Sequence, residues 1–416
     1  MSHLRIKPIF EWTLTLGLGL FCVAPKSSGL VAVLLILLTI IAAIRKESRF
    51  QFSPALAVFV LLYVAYAIGA IWTDHPADAA AYFEKKLSFV AFPLIFSFRF
   101  KEGIRWRLIA SGLIGGTILA FVLSSIHATQ IYFKTADFNN SFGSSSFSYI
   151  HHPTYLAAIF TISWLWFREG KRLGWRGFNQ TSFFCYTGMI LAGLLFCFSL
   201  ASLLFFMIVS GVLILQWFHQ RVTKRLFWLS VCVLPMIPVA AYKSNIHIQI
   251  ELDSIMHDAW SYITNPQGIF QTIRDNPSGN QTRLLMWTVS AQEFMANPMG
   301  CGTANMDDVL TARLDNHGLQ DFSAFKYNPH NQFLQVAVEI GILGLLVFLS
   351  VFVLLFRLAW KRKDGLLFWI TFSLFFNCLF ESMLQRQSGI VFYMILLGLF
   401  VAYRTVHAST ISDQKS

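Results

Sequence analysis

The segment NPHNQFLQVAVEIGILG, Asn328–Gly344, changes from polar to apolar over a few residues and so marks where the chain enters a membrane. Asparagine is a good N-cap and proline suits the first helical position, which predicts that a helix begins at Asn328 and Pro329. His330 would then lie in the first turn, where free backbone N–H groups and the helix dipole attract an anion. The alternative is that His330 only caps the helix or contacts lipid headgroups.

Gly341 and Gly344 follow along the same predicted helix. At about 100° per residue, both lie on the face that carries His330. Small residues on that face would let a neighbouring helix approach closely. The spacing therefore predicts that the histidine face packs against the rest of a helical bundle.

The composition indicates that lipid is the main solvent of this chain. Of its 416 residues, 56% are hydrophobic and 13% are charged, whereas soluble globular proteins carry about 25% charged residues. A span needs roughly 20 apolar residues, and this criterion predicts about 12 transmembrane helices. We place them at residues 9–24, 28–44, 53–72, 87–99, 106–128, 153–168, 182–198, 200–217, 226–242, 332–357, 366–384 and 389–405.

The basic residues set the expected topology. With the N-terminus in the cytoplasm, about 22 of the 32 Lys and Arg fall in inner segments, as the positive-inside rule requires. The net charge of +11 is thus explained by topology, which argues against nucleic-acid binding. We expect an even number of spans and both termini in the cytoplasm.

The longest outer segment interrupts the run of spans before the tenth. We divide the chain into residues 1–242 with nine transmembrane helices, 243–331 as a mostly helical periplasmic loop domain, and 332–416 with three helices and a cytoplasmic tail. Long loops of this kind are more often functional than not.

The pattern of His330, Asn331, nine residues, Gly341, two residues and Gly344 resembles the signature of the bacterial O-antigen ligase and polymerase superfamily. FESMLQRQSGIVFY, Phe380–Tyr393, resembles the late segment of the ligases rather than that of the polymerases. The resemblance implies an all-α polytopic membrane protein of the GT-C-like glycosyltransferase kind. It also implies about 12 transmembrane helices and a large helical periplasmic loop before the tenth.

The resemblance further implies an activity: transfer of O-antigen polysaccharide from undecaprenyl diphosphate to lipid A–core, at the periplasmic face of the bacterial inner membrane. The expected partners are these two substrates and membrane lipid, and no cofactor is expected. Such a site needs cations for the diphosphate and a base for the attacking hydroxyl. His330 is the expected base, although an imidazole that hydrogen-bonds the diphosphate is the rival role.

Arg283 is the first candidate cation, because it opens RLLMWTVSAQEFMANPMGCG, which looks like the Arg…Trp…Asn-Pro…Gly pattern of the family. Its planar fork suits phosphate oxygens, and the alternative is a salt bridge with Asp275. Lys85 and Lys86 precede a short span where family members carry a basic residue. Either could bind phosphate or reach lipid headgroups instead.

Arg386, Asn331 and His152 complete the predicted binding residues. Arg386 lies at the outer end of a span, where an ion pair with Glu381 is equally compatible with the sequence. His152 precedes Pro153 at another outer helix start, and a solvated loop histidine is the alternative. The sequence has no Asp-x-Asp motif, so we expect metal-independent transfer, and direct displacement of the diphosphate predicts inversion at the anomeric carbon.

Three other functions fit the same sequence. An O-antigen polymerase and a protein O-oligosaccharyltransferase would use the same lipid-linked donor with a different acceptor. A polysaccharide transporter would need no covalent chemistry. Ionisable residues within spans usually mark a transport path, and the polar candidates here gather at the outer edge instead.

Overall fold

The computed structural model describes residues 5–221, 246–273 and 279–404, and these residues are mainly helical. The ninth predicted span, 226–242, lies outside the described residues. Two short strands, β1 (Ser48–Phe50) and β2 (Phe98–Phe100), form an antiparallel pair in which Arg49 faces Arg99.

The helices of the first half follow the predicted apolar runs closely. They are α1 (Ile6–Val23), α2 (Ser28–Ile44), α3 (Pro54–Gly69), α4 (Pro76–Lys86), α5 (Ser88–Ser97), α6 (Trp106–Thr135), α7 (Phe138–Phe142), α8 (Ser144–Phe147), α9 (Pro153–Arg172), α10 (Gln180–Cys197) and α11 (Leu200–Arg221).

The second half contains the remaining described helices. They are α12 (Ile246–Thr264), α13 (Ile269–Thr272), α14 (Gly279–Ala296), α15 (Met306–Asn316), α16 (Gln320–Ser323), α17 (Gln332–Arg362), α18 (Gly365–Cys378) and α19 (Gln387–Tyr403).

Seven of the described helices are long and apolar enough to cross a bilayer, namely α1, α2, α3, α6, α10, α11 and α17. The apolar helices α18 and α19 are shorter. At 10 residues, α5 reaches roughly 15 Å, about half of a hydrocarbon core. The chain is thus a multi-pass, all-α membrane protein, and twelve spans remain a prediction.

Glycines allow α1 and α6 to touch through their backbones. A Cβ on Gly112 would lie 2.1 Å from the Thr15 carbonyl oxygen, and a Cβ on Gly116 would lie 2.5 Å from that of Gly19. Membrane helices associate largely through such close packing, because lipid is as apolar as the helix surfaces.

The described part of the long outer segment has its own small apolar core. Ile273, Leu285, Met286 and Leu310 are almost completely buried there, and Val338 of α17 packs with them. The segment therefore rests on the entry to α17 through apolar contacts.

The helix α17 contains a sharp kink. Ile340 and Gly341 have non-helical backbone angles, and φ of Gly341 is +66°. Only glycine fits this position easily, since a Cβ would also lie 2.3 Å from the backbone carbon of Met299. The prediction that Gly341 and Gly344 share a helical face with His330 is wrong, because the kink interrupts the helix and His330 precedes it.

The kink leaves backbone N–H and C=O groups of α17 without partners inside the helix, and residues 298–302 form hydrogen bonds with them. Ile342 N–H donates to the Pro298 carbonyl at 2.9 Å. The carbonyls just before the kink accept from the N–H groups of Cys301 and Gly302 at 2.8 and 3.0 Å. Such replacement is needed in a membrane helix, where free backbone groups are costly. The outer segment is thereby attached to α17 by hydrogen bonds as well as by its core.

Candidate active site

The start of α17 differs from the prediction. The helix begins at Gln332 and Asn331 is its N-cap, so the expected start at Asn328 and Pro329 is wrong. The Asn331 Oδ1 accepts the backbone N–H groups two and three residues ahead, at 2.9 and 3.2 Å. His330 lies before the cap with φ of +46°, and its N–H donates to Asn328 Oδ1 at 2.8 Å. His330 is therefore held in a turn in front of the helix.

Glu381 is the side-chain partner of His330. It lies in the loop 379–386, which joins α18 to α19, and its carboxylate is 3.3 Å from His330 Nδ1. The His330 side chain is 23% exposed and that of Glu381 is 7% exposed, so a ligand can reach the imidazole of His330 while the carboxylate of Glu381 is covered. Burial alone would raise the pKa of Glu381. The hydrogen bond and charge of His330, the charge of His152 and a backbone hydrogen bond lower the pKa by more, so that it lies below its ordinary value. The carboxylate is therefore the stable form.

The loop 379–386 is fixed by polar side chains from several elements. Most of these side chains bond to the backbone of the loop. The Glu381 carboxylate therefore remains free to contact His330 and to accept the N–H of Ser382. The contacts are Asn331 Nδ2 to Leu379 O (3.1 Å), Tyr155 Oη to Ser382 O (3.1 Å), Lys86 Nζ to Leu384 O (3.1 Å), Leu384 N to Gln332 Oε1 (2.6 Å) and Asn328 Nδ2 to Gln385 Oε1 (2.8 Å).

His152 lies in the same electrostatic environment. It is half-buried, and its Nδ1 has no hydrogen-bond partner in the described part of the chain. Burial lowers its pKa, the charge of Glu381 raises it, and the charges of Arg386, His330 and Arg283 lower it again. Three predicted residues from three separate segments, Arg283, His330 and Arg386, thus lie within electrostatic range of His152 at one end of the bundle.

Arg283, Arg386 and Lys85 have no carboxylate within 4 Å among the residues described. The alternative ion pair of Arg386 with Glu381 is not formed, since Glu381 contacts His330. Asp275, the alternative partner of Arg283, lies outside the described residues. Within the described ranges, no carboxylate competes with an anionic ligand for these cations.

Lys85 and Lys86 are neighbours with opposite environments. Lys85 is exposed, whereas Lys86 is 1% exposed. The Lys86 ammonium lies 4.0 Å from the ring centre of Tyr66 and 4.5 Å from that of Tyr82. Its backbone contact to the loop 379–386 makes Lys86 a structural support, and only Lys85 projects outward.

Sequence reasoning missed Glu339, a carboxylate inside α17. It is 1% exposed, accepts a hydrogen bond from Tyr82 and accepts another from Gln335 at 3.2 Å. The hydrogen bond from Tyr82 to Glu339 attaches α4, which carries Lys85, to α17. The available signal was a single acidic residue within an apolar span, which usually has a specific partner.

The described residues contain no group of three or more His, Cys, Asp and Glu that could hold a metal ion. What they do contain is an imidazole oriented by a carboxylate, with unpaired cations nearby. This pairing can keep one ring nitrogen as a proton acceptor, and the cations can hold a phosphate group. The fold and site define a multi-pass membrane protein with a histidine–carboxylate pair at one end of its bundle.

Comparison with known proteins finds two similarities. Residues 185–349 match the family model described as O-antigen ligase, a region that contains Arg283 and His330. This match covers less than half of the chain. It is also 26% identical over 301 residues to a Rickettsia prowazekii (strain Madrid E) protein named "Putative polysaccharide ligase RP358". That match covers 70% of this chain and 65% of the relative.

Proposed function

We propose that this protein transfers O-antigen polysaccharide from undecaprenyl diphosphate to a sugar hydroxyl of lipid A–core, at the periplasmic face of the inner membrane. The observation that carries the proposal is the contact of His330 Nδ1 with Glu381 beside cations that lack carboxylate partners. The family domain and the polysaccharide ligase relative support the same class of reaction.

His330 acts as the general base in this proposal. Donation of Nδ1–H to the Glu381 carboxylate leaves Nε2 with a free lone pair. Nε2 takes the proton of the acceptor hydroxyl while its oxygen bonds to the anomeric carbon of the donor sugar. The bond from that carbon to the diphosphate oxygen breaks, and the electron pair leaves with the lipid diphosphate. Direct displacement inverts the configuration at the anomeric carbon.

The unpaired cations stabilise the leaving group. Arg283, Arg386 and Lys85 neutralise the negative charge that grows on the diphosphate as the glycosidic bond breaks. A guanidinium can hold two phosphate oxygens at once, so Arg283 has the largest expected role. His152 is the second imidazole facing this charge, and its free Nδ1 gives it a hydrogen-bonding site for a phosphate or sugar oxygen.

Asn331 and Lys86 have positioning roles in this proposal rather than direct contacts with substrate. The polar atoms of the Asn331 side chain are already used by the N-cap and by the Leu379 carbonyl. Lys86 is buried under the loop that carries Glu381. Both residues fix the position of the Glu381 loop relative to His330.

The test is transfer by purified protein from a defined undecaprenyl-diphosphate-linked glycan to lipid A–core. His330→Ala should lower the rate by about 10²–10⁴-fold, the usual contribution of a general base. His317→Ala is the matched control, because His317 stacks on Phe270 in the outer segment away from the predicted site. Wild-type activity of His330→Ala would eliminate the mechanism, and loss of activity in EDTA would eliminate metal independence.

The acceptor decides between related functions. A polymerase would extend a second lipid-linked repeat unit, and a protein O-oligosaccharyltransferase would modify Ser or Thr of a polypeptide. Supplying the three acceptors separately to the same donor and enzyme distinguishes them. Transfer only to lipid A–core supports the ligase, and transfer only to another acceptor overturns it.

A further inference from the structure

A large cavity lies at the end of the bundle opposite to His330. Its volume is about 1120 Å³. The helices α9, α17 and α19 all begin at the His330 end and reach this cavity at their other ends, through Arg172, Ala359 and Arg404. Since α9 has 20 residues, it separates the two regions by roughly 30 Å. None of the predicted site residues lines the cavity.

Tryptophan is frequent in the wall of the cavity. Six of the 12 tryptophans of the chain line the cavity, namely Trp106, Trp166, Trp175, Trp217, Trp360 and Trp369. Trp360 is 82% exposed and Trp217 is 51% exposed, so the rim opens to the surroundings of the bundle. Tryptophan is enriched where the bilayer meets water. The cavity therefore lies at the depth of lipid headgroups.

Charges of both signs line the same cavity. Arg172 pairs with Glu169 at 2.7 Å, and Arg404 contacts both Glu169 and Asp364. Arg168 also lines the wall and has no carboxylate within 4 Å in the described part of the chain. A wall with both cations and carboxylates fits a zwitterion better than a simple anion.

Two buried polar atoms of the wall lack a hydrogen-bond partner among the described residues. Asp364 is 2% exposed, and its Oδ2 is unpartnered, although its Oδ1 caps α18 through two backbone N–H groups at 3.1 Å. Trp166 is completely buried, and its Nε1–H is unpartnered. An unsatisfied carboxylate oxygen calls for a hydrogen-bond donor, and an unsatisfied indole N–H calls for an acceptor.

We propose that this cavity binds a glycerophospholipid with a primary ammonium headgroup, of the phosphatidylethanolamine type. The ammonium donates to Asp364 Oδ2, and the phosphate accepts from Arg168 and from the Trp166 N–H. The tryptophans contact the upper acyl chains and the glycerol. A cavity of this size holds one headgroup with part of its chains and is too small for a polysaccharide. The site is independent of the proposed glycosyl transfer.

Native mass spectrometry of the full-length protein tests the assignment. Delipidated protein is mixed with equal amounts of dioleoyl phosphatidylethanolamine, phosphatidylglycerol and phosphatidylcholine. Retention of phosphatidylethanolamine should exceed that of each other lipid by about tenfold, the effect of one charge-assisted hydrogen bond. Equal retention of phosphatidylglycerol or phosphatidylcholine would overturn the proposal.

Variants locate the site. Asp364→Asn keeps the helix cap, since asparagine caps as well as aspartate, and removes the carboxylate charge that the ammonium and Arg404 contact. It should abolish the preference for phosphatidylethanolamine, whereas Asp137→Asn, at the N-cap of α7 near the other end, should retain it. If Asp364→Asn does not fold, Trp166→Phe removes the N–H alone and should lower phosphatidylethanolamine retention severalfold. An unchanged preference in folded Asp364→Asn, or unchanged phosphatidylethanolamine retention in folded Trp166→Phe, contradicts the site.

Discussion

The two ends of the bundle use arginine in different ways. At the end opposite to His330, Arg172 and Arg404 are ion-paired with Glu169 and Asp364. At the His330 end, Arg283 and Arg386 have no carboxylate within 4 Å among the described residues, and the nearby Glu381 contacts His330 instead.

This difference suggests that the paired arginines serve stability and that the arginines without carboxylate partners serve ligand binding. A paired, partly buried arginine contributes to stability, because its loss leaves a carboxylate without compensation. An unpaired arginine contributes little to folding and keeps its hydrogen-bond donors for a ligand. The variants below test whether the two ends behave in this way.

The largest expected effect is on activity at the unpaired end. Arg283→Ala should lower transfer by about 10²–10³-fold, because one stabilising contact to the leaving diphosphate is lost. Arg283→Lys should fall between that variant and the wild type, since it keeps the charge without the fork. The unfolding temperature should not change. Arg176→Ala, at an exposed arginine of the loop after α9, is the control and should keep full activity.

The paired end should respond in stability instead. Arg404→Ala should lower the free energy of unfolding by about 3 kcal/mol, because the buried Asp364 loses its ion pair and the buried Glu169 keeps only Arg172. Arg172→Ala should cost less than about 1 kcal/mol, because its side chain is 64% exposed. Thermal unfolding in detergent measures both. Equal stability of the two variants would remove the distinction between the ends.

Lys85 and Lys86 give the same comparison within one helix. Lys86→Met should lower the free energy of unfolding by about 2 kcal/mol, because the Leu384 carbonyl loses a donor and the Tyr66 ring loses a cation. Lys85→Met should leave stability unchanged and lower transfer about tenfold. Unfolding curves and transfer rates of the two variants are the measurements, and exchanged phenotypes would contradict the assignment.

The smallest effect is a pH dependence of the His330–Glu381 contact. The pKa of Glu381 is lower in the folded protein than its ordinary value of 4.5. Its ionised form therefore adds stability above that value, and the contribution disappears as the pH falls through the folded pKa. The wild type should unfold at a higher temperature than Glu381→Gln at neutral pH, and the gap should close below about pH 4.5. A gap that widens in acid would exclude this stabilising role of the Glu381 carboxylate.

The membrane class and most helix positions could be predicted because they depend on local composition. Runs of apolar residues specify helices in lipid whatever their neighbours are. The start of α17 was predicted three residues too early, since both Asn328 and Asn331 are good caps in isolation. Only the folded chain shows that Asn331 reaches two helical N–H groups while Asn328 bonds to His330 and Gln385.

The site was predicted as a set of residues but not as an arrangement. The charge and side-chain type of Arg283, Arg386 and His152 pointed to an anion site, and the structure brings their charges together. The partner of His330 was not predicted, because Glu381 lies 51 residues away and was considered only as a partner for Arg386. A contact between segments far apart in the chain leaves no periodic pattern in the sequence from which it could be predicted.

The sequence by itself determined that this chain is a multi-pass helical membrane protein with a polar cluster beside one span, because hydrophobicity and charge act residue by residue. Tertiary structure decided which of two adjacent lysines is buried, which carboxylate contacts His330, and that α17 bends at Gly341 around residues 298–302. These outcomes depend on close packing between segments far apart in the chain, which fixes one partner for each polar group once the bundle has formed.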